Sequence, residues 1–263
     1  MLSKNKIKYI TALQKKKFRS ELQCFLAEGD KIVRELVAFP QWELECVLAV
    51  PEWLESHERL FAGRKIEIIS ITAAELEKIS TLQTPNQVLA IVKMPPEFDW
   101  NQHFSTDLAL YLDGIQDPGN LGTILRIADW FGILQVFLSP DCVELYNPKV
   151  IQATMGSFLR IKTAIVELPT LKAGIPGLTT YGALLSGENV FSVQVQHPAL
   201  LIIGNEGKGI REEYIPLIDR AISIPRHVDG GAESLNAGVA TGIICGVMRN
   251  GGKLGYTQAT SKK

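Results

Sequence analysis

No stretch of the chain is apolar for long enough to cross a bilayer; the most hydrophobic late segment, Val239 to Met248, is too short and too rich in glycine. The basic N-terminus is followed by no continuous apolar run, so neither an export signal nor a membrane partner is expected. Cysteine is sparse: Cys24, Cys46, Cys142 and Cys245 stand far apart, form no Cys-x-x-Cys pair and have no histidine beside them. A zinc site and a disulfide framework are thereby excluded, no metal is expected, and a reducing, cytoplasmic setting is. Net charge is nearly absent, since 27 lysines and arginines face 28 acids for a formal charge of -1. The molecule as a whole is therefore no electrostatic attractor of nucleic acid, and any such attraction must be local. Two nucleotide signatures are missing as well. No Gly-x-x-x-x-Gly-Lys-Ser/Thr loop occurs, and no Gly-x-Gly-x-x-Gly opens a helix after the first strand of the C-terminal half, which removes most support for nucleoside triphosphates and dinucleotides.

What is present begins with 263 residues that are 46% hydrophobic, enough for a sizeable core and comfortable for two domains. Local positive charge gathers in residues 1–20, where Lys4, Lys6, Lys8, Lys15, Lys16, Lys17 and Arg19 occur with no acid. The stretch suits a phosphate backbone, or else is a solvated helix face. Residues 7–38 alternate apolar and charged positions at helical spacing, broken at Gly29-Asp30, which predicts two helices. Short apolar runs at Cys46–Val50, Ile66–Ile69 and Val88–Val92 predict strands, with helices over Pro51–Phe61 and Thr72–Ile79. Met94-Pro95-Pro96-Glu97 then ends both kinds of ladder. The expected division is a first domain at 1–95, a linker at 96–106, a second domain at 107–251 and a flexible tail at 252–263.

From Leu108 onward strands and helices alternate. Strands are predicted at Leu108–Leu112, Ile133–Leu138, Ile161–Val166, Tyr181–Leu185, Leu200–Ile203 and Ala221–Ile224, and helices over Asp117–Phe131, from Asn147-Pro148, near Arg211–Asp219 and over Glu233–Met248. Alternation of this kind implies a mostly parallel sheet covered on both faces. Parallel sheets bind ligands at the carboxyl ends of their strands, which directs attention to the polar, glycine-rich loops after Leu112, Ile203 and Ile224.

In the first loop, Asp117 can cap a helix and Pro118 can occupy its first turn. At roughly 100° per residue, Leu121, Ile124, Leu125, Ala128 and Phe131 share one face, while Arg126 falls with Thr123 and Trp130 on the other, outside the core. The second loop, Gly204-Asn205-Glu206-Gly207-Lys208-Gly209, follows an apolar strand and would let a ligand approach the backbone closely, unless it is a plain tight turn. The third runs from Ile224-Pro225 to Glu233-Ser234-Leu235-Asn236. Beyond it Gly238, Gly242 and Gly246 recur every fourth residue, for close helix packing within one protomer or across a dimer.

Taken together and in order, these blocks resemble the three motifs of the SpoU/TrmH family of the SPOUT methyltransferase superfamily. Asn120-Leu121-Gly122-Thr123-Ile124-Leu125-Arg126 matches Asn-x-Gly-x-x-x-Arg, Gly204–Gly209 matches Gly-x-Glu-Gly-x-Gly, and Ile224-Pro225 with Ser234-Leu235-Asn236 matches the third motif. The likeness covers roughly residues 107–250, and the N-terminal part resembles the family's RNA-binding domain. One departure stands out: Arg226–Ala232 makes a loop longer than the commonest family form, which leaves its contacts to cofactor and target open.

The resemblance implies an α/β fold whose parallel-sheet catalytic domain carries a C-terminal trefoil knot, behind a small α/β RNA-binding domain. It further implies transfer of a methyl group from S-adenosylmethionine to a ribose 2′-hydroxyl of structured RNA, ribosomal rather than transfer RNA, by a homodimer. Cofactor contacts are expected at Gly204, Asn205, Ile224, Ser234, Leu235 and Asn236. Catalytic roles fall to Asn120, Arg126, Glu206, Ser234 and Asn236, with Arg126 activating the hydroxyl. Because a guanidinium with a pKa above about 12 is a poor base, Arg126, held by Asn120 or Glu206, is expected to grip the target phosphate and stabilise the forming alkoxide. Two alternatives stay open: a non-catalytic RNA-binding protein that keeps this fold, and a nucleotide-binding α/β enzyme.

Overall fold

The computed structural model describes residues 1–104 and 107–250. The expected tail at 252–263 and positions 105 and 106 of the expected linker lie outside these. In chain order the elements are α1 (Lys4–Ala12), α2 (Lys16–Leu22), β1 (Cys24–Glu28), α3 (Asp30–Ala38), β2 (Leu44–Ala49), α4 (Pro51–Ser56), β3 (Glu67–Ser70), α5 (Ala73–Ile79) and β4 (Val88–Lys93). They continue with α6 (Trp100–His103), β5 (Leu108–Leu112), α7 (Pro118–Trp130), β6 (Gln135–Leu138), α8 (Pro148–Thr154), β7 (Lys162–Ile165) and α9 (Leu168–Gly174). The last are β8 (Thr179–Asn189), β9 (Ala199–Ile203), β10 (Arg220–Ser223) and α10 (Ala237–Asn250).

Two compact units emerge. The first gathers Met1–Phe98 with Gln116–Arg126 and Val143–Lys162. Its sheet has the order β1-β4-β2-β3, with β4 antiparallel to β1 and β2, and β2 parallel to β3. Local chemistry sets several boundaries: Thr72 and Glu75 form a reciprocal capping box at α5, Pro51 opens α4, and Asn147 accepts from the Lys149 amide to start α8. The two helices predicted over residues 7–38 are in fact three, with strand β1 between α2 and α3. Cys24-Phe25-Leu26-Ala27-Glu28 is buried throughout and pairs with β4, so long-range pairing overrides a periodicity that a short apolar run cannot decide.

The core of this unit draws in Ile151, Phe158 and Leu159 from the 143–162 segment, packed with Phe25, Trp42 and Leu44. The Phe25 ring stacks on Tyr146 and meets Phe158 edge-on, arrangements that aromatic pairs favour. Arg19, only 2% exposed, donates through Nε to Glu144 at 3.0 Å, pairs with the same carboxylate through Nη2, and donates to the Leu13 carbonyl. Lys6 pairs with Glu45 at 3.3 Å. Arg19 therefore does not belong to the exposed basic set expected of the first twenty residues; its charge is neutralised within the unit.

Among the described residues, the second unit comprises those of Asp99–Ile115 and Ile127–Cys142 and residues 163–250. Its six-stranded sheet has the order β10-β8-β9-β5-β6-β7, and the pairings from β10 through β6 are all parallel. Strands β5 and β9 are buried at every residue, as a parallel sheet with both faces covered requires. The helix expected near Arg211–Asp219 is a 3-10 turn over Glu212–Leu217, since Pro216 cannot supply an α-helical donor. The last helix begins at Ala237, not Glu233. Asn236 sits at its cap, its Oδ1 accepting from the Gly238 and Val239 amides, and this leaves Ser234 and Leu235 in the preceding loop.

Removing one partner of the buried Arg19–Glu144 pair should be costly. Arg19→Ala is expected to lower unfolding free energy by about 3 kcal/mol in urea titrations, and the joint change Arg19→Met with Glu144→Leu to recover most of it. An unchanged midpoint for Arg19→Ala would remove this pair from the stabilising interactions.

Candidate active site

Strand β5 is the point where the six-stranded sheet reverses direction: β6 lies on one side of it and β9 on the other. Leu112 is in register with Ile203, so the loops that follow the two strands emerge side by side from the carboxyl edge, where open parallel sheets place their ligands. The Asp113 amide donates to the Ile203 carbonyl at 2.8 Å and extends the pairing one residue into those loops.

Gly204 opens the second loop under a severe steric limit. A Cβ there would lie 2.2 Å from the Gly209 carbonyl carbon and 2.3 Å from the Ile210 nitrogen, so only glycine allows the loop to close on its own base. Asn205 and Gly209 exchange main-chain hydrogen bonds, both at 2.9 Å. Within that closure Asn205 Oδ1 accepts from the Gly207 and Lys208 amides, while Nδ2 donates to the Gly114 carbonyl at 2.7 Å. The Asn205 side chain thus shapes the loop from inside. Glu206, Gly207, Lys208 and Gly209 are exposed.

The third block follows β10. Ile224 is half-buried, whereas Ser234, Leu235 and Asn236 are exposed. The longer loop between them is tied to itself: Arg226 Nη1 donates to the Ala232 carbonyl at 3.1 Å and the Gly230 amide to the His227 carbonyl at 2.9 Å.

Asn120 and Arg126 lie on α7. Asp117 Oδ1 accepts from the Asn120 amide at 2.8 Å and Pro118 is the first helical residue, as the sequence predicts. Leu121, Ile124, Leu125 and Ala128 are fully buried, while Thr123, Arg126 and Trp130 are exposed. Gly122 explains the motif glycine: a Cβ there would lie 2.4 Å from the Ala153 Cβ, so its absence allows the start of α7 to touch α8. On α10, Gly242 and Gly246 face Ile127 and Phe131 of the same chain, at 3.5 and 3.4 Å from where a Cβ would stand. Two of the three recurring glycines therefore serve packing within the protomer.

By unit, Gly204, Asn205, Glu206, Ile224, Ser234, Leu235 and Asn236 belong to the second, and Asn120 and Arg126 to the first. Sequence reasoning passed over a polar cluster in the second unit. Asp113, 2% exposed, accepts from the Arg211 amide and Nε, and Arg211 Nη2 donates to Asp141. Ser139 donates to Asp141 and accepts from the Gly114 amide. An acid directly after the apolar strand Leu108–Leu112 was the available signal, because a carboxylate there must find a buried partner. Partial burial pulls the Asp141 carboxyl upward, but the Ser139 hydroxyl and the Arg211 guanidinium outweigh it and hold it below the ordinary carboxylate range. A group depressed in this way stabilises the fold above its unfolded pKa and loses that contribution as pH falls through the folded one, so the Asp141 carboxylate contributes at neutral pH.

An adenosyl-bearing sulfonium needs main-chain donors and acceptors beside apolar surface, a carboxylate near the positive sulfur, and polar groups for its amino-acid end. The loops after β9 and β10 supply exposed residues at 206–209, 225–229 and 231–236, among them Val228 and Leu235, the Glu206 carboxylate and the Ser234 hydroxyl. That donor set fits S-adenosylmethionine.

Comparison with known proteins agrees with this chemistry. Residues 107–246 match the SpoU rRNA Methylase family, and residues 4–90 match the MRM3-like substrate binding domain. The 23S rRNA (guanosine(2553)-2'-O)-methyltransferase RlmP of Bacillus subtilis (strain 168) is 30% identical over 248 residues, which span 91% of this chain and 94% of the relative. A TrmH-family protein from Porphyromonas gingivalis superposes with a TM-score of 0.85 at 34% identity, covering 95% of this chain and 99% of its own. The AdoMet-bound rRNA methyltransferase of Sinorhizobium meliloti gives a TM-score of 0.85 at 26% identity, over 95% and 96% of the two chains. With a family match across its C-terminal half and relatives aligned along nearly its whole length, the chain belongs to the SpoU/TrmH family of RNA methyltransferases.

Proposed function

We propose that this protein methylates a ribose 2′-hydroxyl of structured ribosomal RNA, with S-adenosylmethionine as donor. The observation that carries the reading is the side-by-side emergence of the Asp113 and Gly204 loops at the point where the strand order reverses, in a chain of which 91% aligns with a ribosomal RNA 2′-O-methyltransferase. Retention of Asn120, Arg126, Glu206, Ser234 and Asn236 speaks against a non-catalytic relative.

When bound, the cofactor supplies an electrophilic methyl group on a positively charged sulfur. The chain's own part is to hold, orient and neutralise. In this reading the main chain at Gly204, Asn205, Ile224 and Leu235 grips the cofactor, and Ser234 and Asn236 flank the reacting centre. Arg126 is exposed, so its guanidinium is available for a bidentate grip on the target phosphate and for the negative charge that grows on the 2′-oxygen. RNA carries the hydroxyl that DNA lacks, which sets the class of substrate. Lys15, Lys16 and Lys17 are exposed at the start of α2 and suit the phosphate backbone. A homodimer, a trefoil knot through the last motif segments and a cytoplasmic setting complete the proposal. The four unpaired thiols are in keeping with that setting, and among the described residues no helix is long and apolar enough to cross a membrane.

The direct test is to incubate the protein with methyl-labelled cofactor and ribosomal RNA from cells that lack it, then map the label. One 2′-O-methylated ribose is expected, and no label in any RNA would return the protein to the non-catalytic reading. Arg126→Lys keeps the charge but not the fork, so it is expected to lose about a hundredfold in turnover with calorimetric cofactor affinity unchanged; full activity would remove the bidentate role. Reversing Lys15, Lys16 and Lys17 to Glu should weaken RNA binding and flatten its salt dependence, by a log–log slope of about 0.7 to 0.9 for each phosphate no longer neutralised. These substitutions are preferable to deleting residues 1–95, which would strip the cover from Ile151, Phe158 and Leu159. Sedimentation should find a dimer, and a fully active monomer would exclude a shared site.

A further inference from the structure

The loops that follow three adjacent strands, β9, β5 and β6, are joined by one continuous polar relay within the second unit. Arg211 stands at its head. Its amide and Nε donate to Asp113 at 2.8 and 2.6 Å, its Nη2 donates to Asp141 at 2.6 Å, and its guanidinium carbon lies 4.7 Å above the Tyr214 ring. Asp141 accepts at 2.6 Å from the Ser139 hydroxyl, which in turn accepts from the Gly114 amide at 2.8 Å. The far side of Gly114, its carbonyl, accepts from Asn205 Nδ2. Asn205 then fixes the amides of Gly207 and Lys208 through Oδ1 and that of Gly209 through its carbonyl.

The direction of the bonds at Ser139 and Gly114 follows from their chemistry. Ser139 has a single hydroxyl proton, given to Asp141, so its lone pairs face the Gly114 amide. The peptide at Gly114 is thereby held from both ends, and its position sets that of Asn205. Gly114 has a φ of +67° and Asp141 Oδ2 lies 3.1 Å from where its Cβ would be, so the turn is narrow as well as tethered. With the Arg211 and Asp141 side chains 28% and 53% exposed, their ion pair is largely solvated and adds little to fold stability, which makes this cluster a poor device for stability alone. It is a good device for pre-organising a loop, because a ligand then meets main-chain groups that are already in place.

We propose that Ser139, Asp141 and Arg211 are positioning residues for S-adenosylmethionine: through Gly114 and Asn205 they hold the Gly204–Gly209 loop in its cofactor-binding shape without touching the cofactor. The inference rests on the proposed use of that loop for cofactor binding. Its readout is affinity for the cofactor and order in the loop.

Ser139→Ala and Arg211→Lys, made in the full chain, test it by calorimetry with S-adenosylmethionine, amide hydrogen exchange without ligand, and steady-state kinetics. Ser139→Ala should weaken cofactor binding about tenfold, the effect of one charge-linked hydrogen bond, and Arg211→Lys at least as much. KM for the cofactor should rise with kcat largely kept, and exchange at Gly207–Gly209 should quicken while β5 and β9 stay protected. Asp141→Asn combined with Ser139→Ala should cost less than the sum of the two, because both break one relay. Unaltered affinity and loop exchange in the single variants would overturn the inference. So would a loss of affinity that merely follows general loss of protection across the sheet, since that is a structural role. If the parent protein itself fails to bind S-adenosylmethionine, the proposed function falls and takes this inference with it; a parent that binds beside variants that bind equally well overturns the relay alone.

Discussion

The parallel pairing of β5 with β9 is the constraint on which the rest of the second unit depends. Both strands are buried throughout, and their register runs unbroken from Leu108–Ala199 to Leu112–Ile203. A slip of one residue would turn every side chain to the opposite face, so burial on both faces locks the register tightly. The lock ends where Asp113 and Gly204 begin, and the two loops therefore start from fixed, adjacent points. Hydrogen bonding then finishes what pairing started, with Asn205 reaching across to Gly114.

Two kinds of glycine serve this arrangement. Gly204 is needed because the chain passes within contact of itself, and Gly122 because one helix must touch another. Motif positions that read as binding residues in a linear sequence can thus be conditions of geometry that let neighbouring groups bind. The Asn205 side chain adds a further geometric condition by shaping its own loop, and Asn236 Oδ1 caps α10.

The first unit shows a similar interdependence. Its four-stranded sheet is closed over by residues from far along the chain, Ile151, Phe158 and Leu159, and Arg19 is neutralised by Glu144. Segments that are distant in the chain thus form one core within this unit. Its exposed lysines remain on α2, displayed by a helix whose own arginine is turned inward.

Much of the chain from Leu108 onward was legible in the order of its residues. The apolar runs at Leu108–Leu112 and Leu200–Ile203 marked the central strands, Asp117-Pro118 marked the start of α7, and helical spacing separated Arg126 from the buried face. These signals are local, because hydrophobic period, capping and proline geometry act within a few residues. Strand β1 was not legible, since five buried residues in a row fit a strand or a helix until a partner decides. Nor was the start of α10, which turns on whether Glu233 or Asn236 provides the cap. The relay from Arg211 to Asn205 was hidden for a deeper reason. Its members are separated by up to 98 residues in the chain, and no local pattern carries the information that Asp113 and Arg211 meet. The sequence by itself determined the kinds of element and the residues able to do chemistry; only tertiary structure decided which of those residues face a ligand and which hold the others in place, because that depends on pairings between strands remote in the chain.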